Sequence, residues 1–106
     1  MYCRRITFVQ LKRGVSEEAQ VIFQQSLIPA AQRQKGFRGI YWLQSVENPT
    51  ECIALSFWES REDAVANEQS EYYSEQRDKI SHLVLPETVR KGYAVLAMAT
   101  KGESAA

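Results

Sequence analysis

The chain has 106 residues, 44% of them hydrophobic and 25% charged, and its 13 Lys and Arg balance 13 Asp and Glu to a formal net charge of zero. This is one domain's worth of ordinary globular composition, without the basic stripe that nucleic-acid binding requires. No apolar run approaches the ~20 residues of a membrane-spanning helix, and the opening MYCRRITFV enters a strand pattern without a cleavable apolar leader, so a soluble, cytoplasmic chain with no membrane partner is expected.

The first element is RRITFVQLK, residues 4–12, rich in β-branched and aromatic residues and stopped by Gly14, which reads as a strand followed by a breaker. Ser16 stands where a helix cap belongs. Glu17 and Glu18 suit the first turn, and Ala19, Ile22, Phe23, Leu27 and Ala30 recur at helical spacing. Pro29 falls inside this pattern, where it removes a backbone hydrogen bond and crowds the preceding turn, so a kink or a break into two helical pieces is expected there. Gly36 can take the left-handed conformation that ends the helix.

A second strand, FRGIYWLQSV over 37–46, is followed by the turn ENPT and the returning strand ECIALSFWE over 51–59. Ser60 opens the next helix in the capping pattern SRED, and helical residues run to about Leu83 before Pro86. TVRKGYAVLAMA, residues 88–99, is the last strand. The order β-α-β-β-α-β gives a ferredoxin-like α+β fold, a four-stranded antiparallel sheet in spatial order 4-1-3-2 with both helices on one face. Residues 1–100 are expected to form this domain and 101–106 a disordered tail.

Two cysteines occur, Cys3 and Cys52, and one histidine, His82, with no spacing typical of a metal or haem-attachment site; no metal and no cofactor are expected. Strands one and three as antiparallel neighbours would set the two thiols at opposite ends of the sheet, roughly 20 Å apart at about 3.3 Å per residue, too far for a disulfide.

The strands do not alternate apolar and polar residues. The first sets Ile6 and Phe8 against Val9 and Leu11, the second Phe37, Tyr41 and Leu43 against Ile40 and Trp42, the third Ile53, Leu55 and Phe57 against Cys52, Ala54 and Trp58, and the fourth Tyr93 and Val95 against Leu96 and Met98. Two helices cover one face only, so a second copy of the chain is expected on the other, giving a homodimer packed sheet against sheet.

Candidate site residues gather at the second helix. The segment ANEQSEYYSEQRDK is too polar for a simple core-facing helix. It is either a solvated face or one that sends Asn67, Tyr72, Tyr73 and Arg77 into a partly polar cleft, where Tyr and Arg could each bind a phenolate-like oxygen. Trp58, where strand turns into helix, is a packing residue, a wall for a flat aromatic ligand, or both. Phe8 is a further candidate for the apolar wall. His82, near the helix end, is an exposed or capping residue, or an acid or base near neutral pH.

FWESREDAVANEQSEYY, together with KGFRGIYWLQS, the Trp58, Ser60 and Ala64 run, and Ser70 with Tyr73, resembles the antibiotic biosynthesis monooxygenase (ABM) family of dimeric α+β barrels, over Arg5 to roughly Met98. The resemblance implies a ligand cavity in each protomer between sheet and helices. It also implies one of several activities, since relatives include cofactor-free oxygenases of polycyclic phenols and quinols, haem-degrading enzymes and signal-molecule processing proteins. Many relatives carry histidine or tryptophan at the place of Asn67 and histidine at that of Tyr72. The haem-degrading arrangement would place its strand asparagine, its tryptophan and its iron-binding histidine near Thr7, Asn67 and Arg77, and none is retained. The expected function is a cofactor-independent monooxygenase acting on a small aromatic phenol or quinol. The alternatives are a non-catalytic binding or sensing dimer and, as a minor one, haem degradation.

Overall fold

Strand β1 (Cys3–Gln10) carries no side chain that would break a sheet, and it becomes a central strand, paired antiparallel to β3 (Glu51–Trp58) on one side and β4 (Val89–Ala94) on the other. Strand β2 (Phe37–Gln44) pairs with β3, so the sheet order is β2-β3-β1-β4, the order read from the sequence. The computed structural model describes residues 1–102. Of the tail expected over 101–106, residues 103–106 lie outside the described residues.

The first helical run opens as α1 (Ser16–Ile22), continues as a π-helical segment (Phe23–Leu27) and closes as α2 (Ile28–Gln32). The interruption expected at Pro29 takes this form. Pro29 occupies the first turn of α2, where its missing N–H removes little, and the register is loosened just upstream, where the Ile28 N–H reaches back to the Phe23 carbonyl. Ser16 is not the cap. It is the first helical residue, Val15 precedes it, and no side chain caps this end; the Ala19 N–H bonds the Val15 carbonyl at 2.9 Å instead. Gly36, at φ +79°, closes the run in the left-handed region, and an added Cβ there would lie 2.2 Å from Asp63 Oδ2.

The second helical run is two helices rather than one. Ser60 caps α3 (Arg61–Glu68) by accepting from the Asp63 N–H at 3.1 Å, and Ser70 caps α4 (Glu71–Ile80) by accepting from the Tyr73 N–H at 3.1 Å. The chain turns between the caps at Gln69, and a 3₁₀ turn (Ser81–Leu83) follows α4. The residues beyond it tie to the end of β1, with Lys12 N–H to Leu83 O at 2.9 Å and Leu85 N–H to Gln10 O at 2.7 Å. Strand β4 is shorter than the apolar run 88–99, and Val95 to Met98 follow it outside the sheet.

Two buried clusters hold the helices to the sheet, one at each end. At one end Cys3, Trp58 and Ala64 pack with Phe37; at the other Val9, Leu11, Ala19, Cys52, Ile80 and Leu83 pack together. Cys3 pairs across the ladder with Trp58 and Cys52 with Val9, so the two free, buried thiols sit at opposite ends, as the register argument required. Burial pushes the Cys52 thiol up from its ordinary value, away from thiolate reactivity.

A bulge between Phe37 and Gly39 changes how β2 divides its side chains. Phe37 turns under the helices against the Trp58 ring, edge-on at 5.8 Å, while Tyr41 lies on the opposite face against Phe57 at 5.4 Å. Strict alternation had put these two on one side. The open face then carries Ile6, Phe8, Tyr41, Leu43, Ile53, Leu55, Phe57, Val89 and Tyr93.

Candidate functional site

Between the two buried clusters the helix-covered face of the sheet changes character. Along β1 it presents Arg5 and Thr7, along β3 Ala54 and Ser56, and along β4 Arg90 and Gly92, polar or small residues directly opposite one another in the ladder. They do not fill the space under α3 and α4, and a cavity of about 350 Å³ remains there. Apolar walls come from Val9 and Ile80, from Phe23 and Leu27 of the π-helical segment, and from Trp42, which stacks on Phe23 at 4.7 Å.

Trp58 lines this cavity and is also its packing anchor. Its side chain is 2% exposed, and its Nε1–H donates to Ser56 Oγ at 2.9 Å, satisfying the indole inside the protein. Asn67, Tyr72, Tyr73 and Arg77 line the cavity as well. Asn67 is 9% exposed, and its amide oxygen has no hydrogen-bond partner among the described residues. A buried acceptor without a donor costs on the order of 1–3 kcal/mol. Burial pushes the Tyr72 phenol up, with Arg33 opposing, so this hydroxyl stays protonated at neutral pH and is available to a ligand as a donor. Arg77 is exposed, at the rim.

Two expected site residues are elsewhere. Phe8, 41% exposed, projects from the opposite face of the sheet, because side chains alternate along β1 and its neighbours Thr7 and Val9 face the helices. His82 sits in the 3₁₀ turn with its side chain 58% exposed, 3.6 Å from Glu18 Oε1, and does not line the cavity.

The strongest electrostatic feature of the cavity was absent from the sequence reading. Glu68 of α3 grips Arg5 of β1 with both carboxylate oxygens, one of them at 2.7 Å from Nη2. Arg5 can reach this position because Gly92 lies opposite it; a Cβ on Gly92 would come within 2.3 Å of Arg5 Nη1. Beside them Arg90 donates from Nε to Thr7 Oγ1 at 3.2 Å and lies over the Tyr73 ring at 4.9 Å. Burial pulls its guanidinium down from its ordinary value, Glu68 opposes this, and Arg5 adds to it. The available signal was Arg5, Thr7 and Arg90 in strands otherwise filled with apolar residues, and it needed the register to show that all three share the covered face.

Among the described residues no group of three or more His, Cys, Asp or Glu is placed to hold a metal ion. No histidine lines the cavity, and Arg77 cannot ligate iron, so the residues present do not fit the haem-degrading arrangement.

The sequence profile of the family described as antibiotic biosynthesis monooxygenase matches residues 2–79. The chain belongs to the antibiotic biosynthesis monooxygenase family. Solved structures share its fold. A candidate antibiotic biosynthesis monooxygenase from Bordetella bronchiseptica superposes with a TM-score of 0.81 at 17% identity, covering 90% of this chain and 97% of that one. One from Nitrosomonas europaea gives a TM-score of 0.78 at 20% identity, covering 90% of each chain. SnoaB, a cofactor-independent oxygenase from Streptomyces nogalater, gives 0.79 at 12% identity over 96% of this chain and 98% of its own. No curated protein matches the sequence. At these identities the structural likeness establishes the shared ABM fold, and the chemistry of this ABM protein has to be argued from its own cavity.

Proposed function

We propose that this ABM protein is a cofactor-independent monooxygenase that binds a small aromatic phenol or quinol in the cavity between the sheet and α3–α4, working as a cytoplasmic homodimer. The observation that carries the reading is the cavity itself. Its walls are apolar and aromatic, Trp42 and Trp58 among them, and its polar groups converge from β1, β4, α3 and α4 on one cleft. The buried Asn67 oxygen lacks a donor, which a phenolic O–H would supply. A phenol held there that gives its proton to water entering the cavity becomes an electron-rich ring anion. This anion passes one electron to dioxygen, and the resulting phenoxyl radical and superoxide combine to form the new carbon–oxygen bond, so the protein has to supply orientation and charge rather than a flavin or metal.

The homodimer is supported by the open sheet face, where Tyr41 is 56% and Phe8 41% exposed among mostly apolar residues. A monomer would leave that surface in water, and a second copy packed on it removes it.

A second reading, a non-catalytic binding or sensing dimer of the same fold, is favoured by one observation. Among the described residues the only carboxylate lining the cavity is Glu68, which is engaged by Arg5, and the only histidine lies outside it. The shortage is of a free base. Oxygen uptake with a panel of hydroquinones, measured aerobically and anaerobically, separates the two. The monooxygenase consumes dioxygen and modifies the ring only in air, whereas binding without uptake for every hydroquinone leaves the sensing dimer.

A further inference from the structure

We propose that the ligand of this cavity carries a carboxylate in addition to its phenolic oxygen, and that the guanidinium of Arg90 is the group that grips it. The inference rests on the cavity being the ligand site and names the ligand's chemical class.

The charge balance gives the first reason. Arg5, Glu68 and Arg90 lie together at the β4 side of the cavity, and the single carboxylate there among the described residues is bound to Arg5 through both oxygens. The described salt bridges join Arg5 to Glu68, Arg38 to Glu59 and His82 to Glu18; Arg90 takes part in none of them. One positive charge is therefore left over in a half-buried place. A desolvated charge without a partner is unfavourable, and an anion from outside the chain would balance it.

The way Arg90 is held gives the second reason. Thr7 Oγ1 takes the Nε–H and the Tyr73 ring supports the flat side of the guanidinium, so its orientation is set by one strand residue and one helix residue. Among the described residues neither terminal nitrogen of Arg90 has a side-chain or backbone acceptor. Those two nitrogens form the fork that matches the two oxygens of a carboxylate. Arg5 differs, because its Nε and Nη2 are already spent on Glu68. Arg77 differs too, being exposed at the rim, where water screens it.

The remaining cavity determines what the carboxylate is attached to. Trp42, Phe23, Leu27 and Ile80 line it with apolar and aromatic surface that suits a ring, and the Asn67 oxygen offers an acceptor for a hydroxyl. A hydroxylated aromatic acid satisfies the ring walls, the orphaned acceptor and the unpaired guanidinium together, whereas a neutral phenol leaves Arg90 unpaired.

The test titrates the full chain at neutral pH with para-hydroxybenzoate, its neutral amide para-hydroxybenzamide, and phenol, reading the quenching of Trp42 and Trp58, which both line the cavity. The acid is expected to bind about 10-fold or more tighter than the amide, the lower end for a hydrogen bond between charged groups. Arg90→Gln should weaken the acid by about 10- to 100-fold and leave the amide within about twofold. Arg90→Lys, which keeps the charge and loses the fork, should fall between, and it carries the comparison if the glutamine variant does not fold. Equal affinity of acid and amide, or equal loss of both in either variant, overturns the role of Arg90 while phenol binding upholds the cavity as the ligand site. Absence of quenching by all three overturns the cavity reading and this inference with it.

Discussion

The two faces of the sheet reverse the usual division of labour. The face covered by helices, where apolar residues are expected, carries Arg5, Thr7, Ser56 and Arg90 through its middle, whereas the open face carries a mostly apolar set, Ile6, Phe8, Tyr41, Leu43, Ile53, Leu55, Phe57, Val89 and Tyr93, with Arg4 and Lys91 among them. Both departures have the same physical root, since a polar group is placed under helices only where it has partners to satisfy it, and an apolar surface is left open only where something else covers it. The covered face packs at its two ends, around Trp58 and around Leu11, and leaves its centre for a ligand. The open face leaves no such space at its centre; the charged Arg4 and Lys91 stand among its apolar set, and that set calls for an apolar partner.

The largest expected effect breaks the open face. Leu55→Asp, in mid-strand between Ile6 and Tyr41, puts a charge at the centre of the proposed interface. Sedimentation or light scattering should find the native protein near twice 12.1 kDa and the variant as monomer or aggregate. A native protein that stays monomeric and soluble at micromolar concentration would show that the open apolar face tolerates water.

Next comes the packed end of the covered face. Trp58→Ala removes a ring that is 2% exposed, its edge contact with Phe37 and its bond to Ser56, and should destabilise the fold by about 3–5 kcal/mol in denaturant unfolding. A loss below about 1 kcal/mol would mean that Trp58 serves the cavity far more than the core.

The smallest effect probes the cavity roof. Burial raises the Tyr72 phenol above its ordinary value of 10.0, so as pH climbs past that value the unfolded chain loses this proton before the folded protein does. The stability associated with the protonated phenol is complete below pH 10.0 and falls as pH rises through the folded value. Tyr72→Phe should make the alkaline decline of stability shallower; parallel declines in both proteins would mean that the phenol is as well hydrated in the fold as out of it.

Much of the fold was legible because local rules and tertiary packing agree. The strand order followed from the succession of apolar runs, and the Ser60 cap from SRED. Ser16 failed as a cap because the helix begins one residue earlier than the serine would need, with Val15 at the cap position. The Ser70 cap was hidden because SEYY interrupts a run of otherwise good helix formers without a Gly or Pro to mark it. The site was legible in part. Asn67, Tyr72, Tyr73, Arg77 and Trp58 all line the cavity, since a polar stretch inside an otherwise amphipathic fold has few places to go. Phe8 was misassigned because an apolar residue looks the same on either face of a strand.

The sequence by itself determined which segments are strands and helices, the neighbours each strand takes, the separation of the two cysteines and the excess of apolar surface, because these depend on periodicity, turn chemistry and chain connectivity. Only the tertiary structure decided which alternate set of each strand lies under the helices. That choice rests on register, where the bulge at Phe37/Gly39 moves Phe37 and Tyr41 to opposite faces and the pairing of Arg5 with Gly92 opens room for a guanidinium. Arg5 and Arg90 are 85 positions apart along the chain, and what brings them to one cavity with Glu68 is the register of the ladder between β1 and β4, which no local pattern encodes.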